Sequence, residues 1–367
     1  MAMTASTPPP SGTSLQMADH RTPVVRNCWY VGALSTEVGR SLMARRLLGA
    51  SVLFYRTEAG LPVAMANRCI HRSFPLDKGR LEGDSVRCGY HGMRFDTSGQ
   101  CVEMPSLARA PVHAKVQSYP VRERGPLVWI WMGDPAKADD ALIPDVPWLD
   151  SQEWRTVSGF CPVDTNYVAM HENLLDHTHF PVLHGATVGT PDLMHAGFKV
   201  REESGRVIMT REMLGAPVPG VFGQLMGLTG KLVDSVSDNR FESPAAHLSR
   251  SSFVASGAEG GVPAFRINIT HLFTPEEQNK IHYWWFFSRD FRLDEHQIDG
   301  MLAAGANKAF AEDKDALSWI QVVKDNADEP LLELSFAPDR PGMLMRKVLL
   351  RMADEERVSP LLMPIGT

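Results

Sequence analysis

Two short segments of the chain each bring a cysteine close to a histidine. Cys69 and His71 are separated by one residue, and Cys88 and His91 are separated by two. Both pairs follow a strand-like run and lie among turn-forming residues, which predicts that each sits in a turn. Two turns that project side by side would present two thiolates and two imidazoles to one metal centre.

Two metal groups accept these four ligands. A tetrahedral zinc ion binds two cysteines and two histidines, whereas a Rieske [2Fe–2S] cluster takes two cysteines on one iron and two histidines on the other. Zinc sites usually pair like with like along the chain, but here each segment supplies one of each residue type. The interleaving favours the two-iron cluster, and zinc or four unconnected core residues are the alternatives. Five cysteines form an odd and sparse set, which predicts no disulfide framework.

Residues 67–96 resemble the signature of the Rieske non-haem iron oxygenases. The second half of that signature usually reads Cys-Pro-Tyr-His-Gly-Trp, and this chain has Gly89 and Met93 at the Pro and Trp positions. Both departures fall on residues that shape and pack the loop, not on ligands. The resemblance implies these cluster ligands: Cys69, His71, Cys88 and His91.

A second group of chemistry-bearing residues occupies segment 171–184, which reads HENLLDHTHFPVLH and contains four histidines. Non-haem iron oxygenases hold Fe(II) with two histidines and one carboxylate and leave positions open for O2 and substrate. The segment resembles the iron-binding helix of the family, which implies that His179 and His184 are ligands. His171 and His177 fall outside the pattern and are interpreted as solvated or packed. Without the Rieske segment, a helix end with incidental histidines would be an equal interpretation.

The spacing of the two proposed iron histidines requires an irregular helix. His179 and His184 are five residues apart, so a regular helix does not place them on one face. Pro181 lies between them and predicts a local disruption, and a π-bulge or kink there would bring both rings to one metal.

The third iron ligand should be a distant carboxylate. A long predicted helix, residues 294–324, contains a Glu-Asp-Lys sequence. In the family such a sequence supplies the aspartate ligand, which the resemblance places at Asp313, with Glu312 and Asp315 as competitors. On an exposed helix face these acids would ordinarily be solvated charges.

Two further polar residues of segment 171–184 receive roles from the resemblance. Asp176 matches the aspartate that links a cluster histidine of one subunit to an iron histidine of the next, which implies a homo-oligomer, most often a trimer. Asn173 lies near the iron in the family pattern, where it can hydrogen-bond a bound water. His271 lies in a strand like that of the demethylase branch and is a candidate substrate contact, although a satisfied strand histidine fits equally well.

The chain divides into two regions that differ in their predicted secondary structure. Residues 24–138 are rich in short strand-like runs punctuated by Gly, Pro and Asp, which predicts an all-β domain. Residues 139–367 contain helix candidates and a β-rich stretch from about 200 to 288. The resemblance implies an α+β fold, in which an N-terminal Rieske domain precedes a helix-grip catalytic domain with an antiparallel sheet and helices. Residues 1–23 have the Pro, Ser, Thr and Gly content of a disordered tail.

Composition excludes several classes of partner. The formal net charge of -6 is mild and there is no basic run, which argues against nucleic acid. Apolar stretches are too short to span a membrane, and the N-terminus lacks a secretory pattern, so a cytoplasmic location is expected. No G-x-G-x-x-G fingerprint occurs, so electrons from NAD(P)H would have to come through a separate reductase, with or without a ferredoxin.

The resemblance to vanillate- and dicamba-type demethylases implies a function. The chain would be the oxygenase component of a multicomponent system that uses O2 to oxidise an O- or N-alkyl group of a small aromatic substrate. A ring-hydroxylating dioxygenase and a Rieske electron carrier without catalytic iron are the alternatives, as is a zinc-stabilised binding protein.

Overall fold

A computed structural model describes residues 24–185, 189–190, 192–218, 220–257, 264–328 and 331–358. The predicted disordered tail, residues 1–23, lies outside the described residues. The first part of the chain forms three small antiparallel sheets, with strand orders β1-β11-β10, β2-β3-β4-β9 and β5-β6-β7-β8. Their strands are β1 Trp29–Leu34, β2 Met43–Leu47, β3 Ala50–Arg56, β4 Pro62–Ala66, β5 Arg80–Glu82, β6 Ser85–Arg87, β7 Arg94–Phe95, β8 Cys101–Glu103, β9 Ser118–Tyr119, β10 Val121–Arg124 and β11 Leu127–Trp131.

The second part is built on one seven-stranded antiparallel sheet, with strand order β12-β18-β17-β16-β15-β14-β13. From β13 to β18, strands that are neighbours in sequence are also neighbours in the sheet. The strands are β12 Arg155–Val163, β13 Lys199–Glu203, β14 Arg206–Pro217, β15 Leu232–Ser243, β16 Ala246–Ala255, β17 Phe265–Glu277 and β18 Lys280–Arg289.

Six α-helices accompany this sheet in the described part of the chain. They are α1 Tyr167–Leu175, α2 Phe180–Leu183, α3 Asp192–His195, α4 Gly220–Met226, α5 His296–Asp325 and α6 Arg340–Val358. The long helix predicted near residues 294–324 is α5. The chain after this helix forms a further helix of 19 residues, α6, which the sequence analysis did not predict. Its Arg346 forms a buried ion pair with Glu172, and this contact joins α6 to α1.

Both faces of the large sheet are buried, which explains the nearly continuous apolar run of β18. Tyr283 and Trp285 point to one face, where they pack against Phe310 of α5. Trp284 and Phe286 point to the other face and share a core with residues of β1 and β11, among them Trp29. The sheet therefore separates the small β-sheets from the helices and the cavity between them. Among the described residues, no helix is long and apolar enough to cross a membrane.

Candidate metal centres and active site

The two cysteine–histidine pairs lie on tight turns that follow strands β4 and β6. In the first turn, the Cys69 N–H donates to the carbonyl of Phe74 at 2.8 Å. In the second, the Cys88 N–H donates to the carbonyl of Met93 at 2.8 Å. The second turn needs a left-handed residue, and Gly92 supplies it with a φ of 74°. The two turns are thus alike in hydrogen bonding, as a paired metal-binding motif requires.

The four side chains of these turns converge with the cysteines inside and the histidines towards the surface. Cys69 and Cys88 are both 2% exposed, whereas His91 is exposed. The ring centroids of His71 and His91 are 4.6 Å apart. Nδ1 of His71 is buried and has no hydrogen-bond partner within the described part of the chain. A buried imidazole nitrogen without a partner costs free energy unless a metal binds it, so the residues present fit a metal centre.

The distances among these side chains distinguish a two-iron cluster from a single metal ion. Among the described residues, the only set of three or more His, Cys, Asp or Glu ligand atoms that lie within 4.8 Å of one another is His179, His184 and Asp313. No three of the four residues in the two turns meet that condition, although a tetrahedral zinc ion would hold all its ligand atoms close together. A two-iron cluster separates its sulfur and nitrogen ligands, and this geometry fits the Rieske group.

Burial raises the pKa of the Cys69 thiol to about 11, while backbone N–H groups of His71 and Arg72 that bond to the sulfur oppose this effect. Such donors are the groups that tune an iron–sulfur cluster. Local crowding explains why position 89 is a glycine. A Cβ there would lie 2.8 Å from the carbonyl oxygen of Lys78 and 3.1 Å from the ring of Phe74. Met93, which is 3% exposed, packs in the core beneath this turn.

The histidines of the second site flank a break between two helices. Helix α1 ends at Leu175, and Asp176 follows in extended conformation. His179 is the residue immediately before the four-residue helix α2, and His184 is the residue immediately after it. Pro181 lies in the first turn of α2, where a missing N–H is tolerated. The prediction of a π-bulge or kink in one helix was therefore wrong: the chain stops one helix and starts another.

The break brings the two histidines and an aspartate of α5 together. Nε2 of His184 lies 3.0 Å from Oδ1 of Asp313, and Nε2 of His179 lies 3.6 Å from the same oxygen. The two rings have centroids 5.2 Å apart. Nε2 of His179 is buried and makes no hydrogen bond to the residues that the structure describes. Two imidazole nitrogens and one carboxylate within this distance fit a mononuclear Fe(II) site.

Electrostatics at this site favour the ionised carboxylate. Burial raises the pKa of Asp313, but the polar contacts and the charge of the neighbouring His179 and His184 rings outweigh burial and lower it. Burial lowers the pKa of His184, but Asp313 and Glu312 outweigh burial and raise it. Asp313 is 6% exposed, so the expectation of solvated acids on this helix does not hold for it.

Two neighbours hold these groups in place. Asn173 donates from Nδ2 to Oδ1 of Asp313 at 3.0 Å, which fixes the carboxylate from the side of α1. Glu312 places Oε2 at 2.8 Å from Nδ1 of His184. Sequence reasoning had treated Glu312 only as a competitor of Asp313. Glu312 directly precedes Asp313 on the same helix. This position is the sequence signal that could have identified Glu312 as a residue of the site.

A cavity of about 170 Å³ reaches this site. Its apolar lining includes Phe253, Ile267, Ile269 and Phe287. His184 and Asp313 are among its lining residues, and so is His271. Nδ1 of His271 lies 2.7 Å from the hydroxyl of Tyr283, which orients the ring. Burial lowers the pKa of His271 to about 3, so the ring is neutral.

The remaining histidines of segment 171–184 are packed in the interior. His171 is fully buried and approaches the carbonyl of Pro244 at 3.2 Å. His177 lies 3.2 Å from Nη1 of Arg211, a contact that sequence reasoning missed. The carboxylate of Asp176 accepts hydrogen bonds from the N–H and hydroxyl of Thr178, at 2.8 and 2.9 Å.

Family models match both parts of the chain: the Rieske [2Fe–2S] domain over residues 28–120, and the vanillate O-demethylase oxygenase C-terminal domain over residues 163–355. The iron–sulfur subunit TsaM1 of the toluene-4-sulfonate monooxygenase system of Comamonas testosteroni is 38% identical over 326 residues, 86% of this chain and 91% of that protein. Dicamba monooxygenase bound to 3,6-dichlorosalicylic acid matches with a TM-score of 0.83 and 30% identity, covering 91% of this chain and 98% of that one. Its structure with non-heme iron and dicamba matches with a TM-score of 0.77, 29% identity and the same coverages, 91% and 98%.

Fold and site define an iron-dependent oxygenase in which a Rieske domain accompanies a mononuclear iron domain. The chain belongs to the Rieske non-haem iron oxygenases, in the family of the vanillate O-demethylase oxygenase subunit. The predicted fold class, the monooxygenase class, and the Rieske cluster and mononuclear iron as cofactors are thereby confirmed. The protein is the oxygenase component of a multicomponent system. The roles of individual residues and the domain boundaries stay predictions.

Proposed function

We propose that this oxygenase component oxidises an O- or N-alkyl carbon of a single-ring aromatic substrate. The cavity is the observation that carries this proposal, because its largely apolar wall leads to His184 and Asp313. An apolar cavity of roughly 150 Å³ is enough for benzene, so a cavity of about 170 Å³ suits one substituted ring. The relatives support the substrate class, since their names include toluene-4-sulfonate and dicamba.

Each residue of the site has a definite task in this proposal. His179, His184 and Asp313 hold Fe(II), which when bound supplies the activation of O2. Asn173 keeps the carboxylate of Asp313 oriented through its 3.0 Å hydrogen bond. His271, held by Tyr283, offers its other ring nitrogen to a polar group of the substrate. The apolar wall excludes water from the alkyl group.

The reaction balances with two electrons from outside. One oxygen atom of O2 enters the C–H bond of the alkyl group, and the other leaves as water with two protons and two electrons. When the hydroxylated carbon is attached to oxygen or nitrogen, its bond to that atom breaks and an aldehyde leaves. NAD(P)H supplies the electrons through a separate reductase, with or without a ferredoxin. Cys69, His71, Cys88 and His91 would hold the cluster that accepts them.

Electron transfer between the two centres requires a partner subunit in this proposal. Asp176 lies immediately after α1, and its carboxylate is fixed by Thr178. There it links a cluster histidine of one subunit to an iron histidine of the next, in a homotrimer. We assign residues 24–138 to the Rieske domain and 139–367 to the catalytic domain, and place the protein in the cytoplasm, where reduced nicotinamide cofactors are available.

Turnover with a surrogate reductase and NADH tests the reaction. A panel of methoxy- and N-alkyl-aromatic compounds is offered, and formaldehyde, hydroxylated products and cis-diols are followed. Formaldehyde release with matched NADH consumption supports dealkylation. Products consisting of cis-diols alone would instead identify a ring-hydroxylating dioxygenase.

Metal analysis separates the proposal from its rivals. A Rieske cluster plus a mononuclear site gives about three irons and two acid-labile sulfides per chain, whereas an electron carrier gives about two irons. Stoichiometric zinc without sulfide in a colourless preparation would contradict the cluster. Replacing Asp313 by Asn should lower the iron content by about one and leave the cluster spectrum unchanged.

A further inference from the structure

Arg211 of β14 is a buried guanidinium beside the cavity, and no carboxylate of the described residues forms an ion pair with it. Its side chain is 3% exposed. In the described part of the chain its only hydrogen bond runs from Nη1 to His177 at 3.2 Å, and its Nε is buried without a partner. Asp176 is near enough to oppose the lowering of the Arg211 pKa by burial, but it is not within ion-pair distance, and its carboxylate accepts from Thr178. A buried cation of this kind favours a negative charge nearby.

Arg211 is connected to the cavity through its hydrogen bond to His177, which is a lining residue. A guanidinium can only donate, so Nδ1 of His177 accepts and its other nitrogen carries the proton. Asn239 lies close enough to this ring to oppose the lowering of the His177 pKa by burial. Its side chain carries an NH2 group, which can only donate. Asn239 and His177 both line the cavity.

Strand pairing extends this polar wall. Arg211 pairs with Ser237 of β15, and Ser237 pairs with Ser251 of β16. Asn239 pairs with Ser249 one row along. Residues opposite one another in antiparallel strands point to the same face, so Arg211 shares the face of a wall of short donors. Among the described residues that line the cavity, Asp313 is the one carboxylate, and it belongs to the iron site.

We propose that Arg211, acting through His177 and Asn239, makes this wall the binding site for an anionic group, a carboxylate or sulfonate, on the aromatic substrate. The anion lies against Asn239 and its neighbouring serines, and the alkyl group to be oxidised points to His184 and Asp313. Arg211 is thus a specificity-determining residue that positions donors and supplies positive charge. The inference rests on the proposed function, because it assumes that the cavity takes an aromatic substrate.

Matched pairs of acids and amides test this inference. Calorimetry on the holoenzyme compares toluene-4-sulfonate with toluene-4-sulfonamide, and 4-methylbenzoate with 4-methylbenzamide. A hydrogen bond to a charged group is stronger than one to a neutral group, so the wild type should bind at least one anion about tenfold or more tightly than its amide. The two pairs show whether sulfonate, carboxylate or both are accepted. Equal affinity for acid and amide in both pairs, or no binding of either anion, overturns the inference.

Variants tie the preference to the named residues. Arg211→Gln should remove most of the preference for the anion and leave amide binding unchanged, whereas Arg211→Lys should restore part of it. Arg201→Gln, which removes an exposed arginine of neighbouring β13, is the control and should change nothing. An unchanged preference in Arg211→Gln contradicts the inference.

A second variant covers the case in which Arg211→Gln fails to fold. Asn239→Asp keeps the size of the side chain but puts a negative charge on the wall, so it should abolish anion binding and retain amide binding. Retained anion binding in this variant overturns the inference. Calorimetry needs no turnover, so an enzyme that shows the preference but oxidises none of the panel contradicts only the proposed reaction.

Discussion

Oε2 of Glu312 lies 2.8 Å from Nδ1 of His184, while Oδ1 of Asp313 lies 3.0 Å from Nε2 of the same ring. Adjacent residues of α5 therefore hold both sides of one imidazole. When the Nδ1–H group donates a hydrogen bond to Glu312, Nε2 keeps a lone pair directed towards the proposed iron site. Histidine ligands commonly donate their second N–H to a carboxylate, which fixes the ring and raises its basicity.

Weakening this contact should weaken iron binding. In Glu312→Gln the amide can still accept a hydrogen bond, but the negative charge is lost. We expect the affinity for Fe(II) to fall by about tenfold or more, as for other partners of metal-binding histidines. Titration of the iron-depleted protein with Fe(II) measures this, and the visible spectrum of the cluster should not change.

Asp315→Asn is the matched control for this prediction. Asp315 lies on the same helix and is exposed, so the substitution removes the same charge without a contact to the site. If both variants lose iron equally, general charge on α5 explains the effect and the specific role of Glu312 is wrong.

Helix periodicity shows what the sequence could have revealed about α5. The buried residues Leu302, Ala306, Ala309, Phe310, Asp313 and Leu317 recur at intervals typical of one helix face. Asp313 is the acid on this apolar stripe, and Asp315 lies on the exposed face. This spacing alone distinguishes Asp313 from its competitors, although the resemblance was needed to show that a carboxylate is required.

The arrangement of α1 and α2 could be predicted only in part. The five-residue spacing of His179 and His184, with Pro181 between them, showed that a regular helix does not suffice. The form of the irregularity depends on tertiary contacts, because α1 is held by the buried pair of Glu172 and Arg346 from a distant helix. The contact between Arg211 and His177 likewise joins residues from distant elements, which no local pattern indicates.

Asp176→Asn should separate iron binding from electron transfer. The asparagine keeps the size and can still accept from Thr178, so both metal centres should be retained. If Asp176 links the centres of adjacent subunits, oxidation of the reduced cluster in a single turnover should slow by at least about tenfold. Stopped-flow absorbance of the cluster with substrate and O2 measures this rate.

Asp164→Asn serves as the control for this variant, since Asp164 is an exposed acid just before α1. Its cluster should be oxidised at the wild-type rate. A wild-type rate in Asp176→Asn would exclude the bridging role.

Gly89→Ala should destabilise the second cluster turn. A Cβ at this position would lie 2.8 Å from the backbone oxygen of Lys78, so the backbone has to move. Overpacking of this kind costs about 1–3 kcal/mol. We expect faster loss of cluster absorbance on heating, whereas Gly39→Ala, which has open space around the new Cβ, should match the wild type. Equal cluster lifetimes in the two variants would contradict the crowding argument.

Buried histidines should make the protein sensitive to acid. Burial lowers the pKa of His171 to about 4 and lowers that of His247 well below its ordinary value. Both are neutral in the folded chain but take up protons below about pH 6.5 when unfolded. Their contribution to stability is complete above that pH and is lost as the pH falls towards 4, by about 1.4 kcal/mol per pH unit for each histidine. Melting temperatures between pH 7.5 and 5 measure the loss.

His247→Met should reduce this acid sensitivity. His247 is fully buried, and neither ring nitrogen has a hydrogen-bond partner among the described residues. An apolar side chain of similar size removes the unsatisfied groups, so we expect a gain of about 1–3 kcal/mol at neutral pH and a larger gain at pH 5. His113→Gln changes an exposed histidine and should leave the pH dependence unaltered. If His247→Met melts lower than the wild type at pH 5, His247 has a partner that stabilises it, and its assignment as an unsatisfied core residue is wrong.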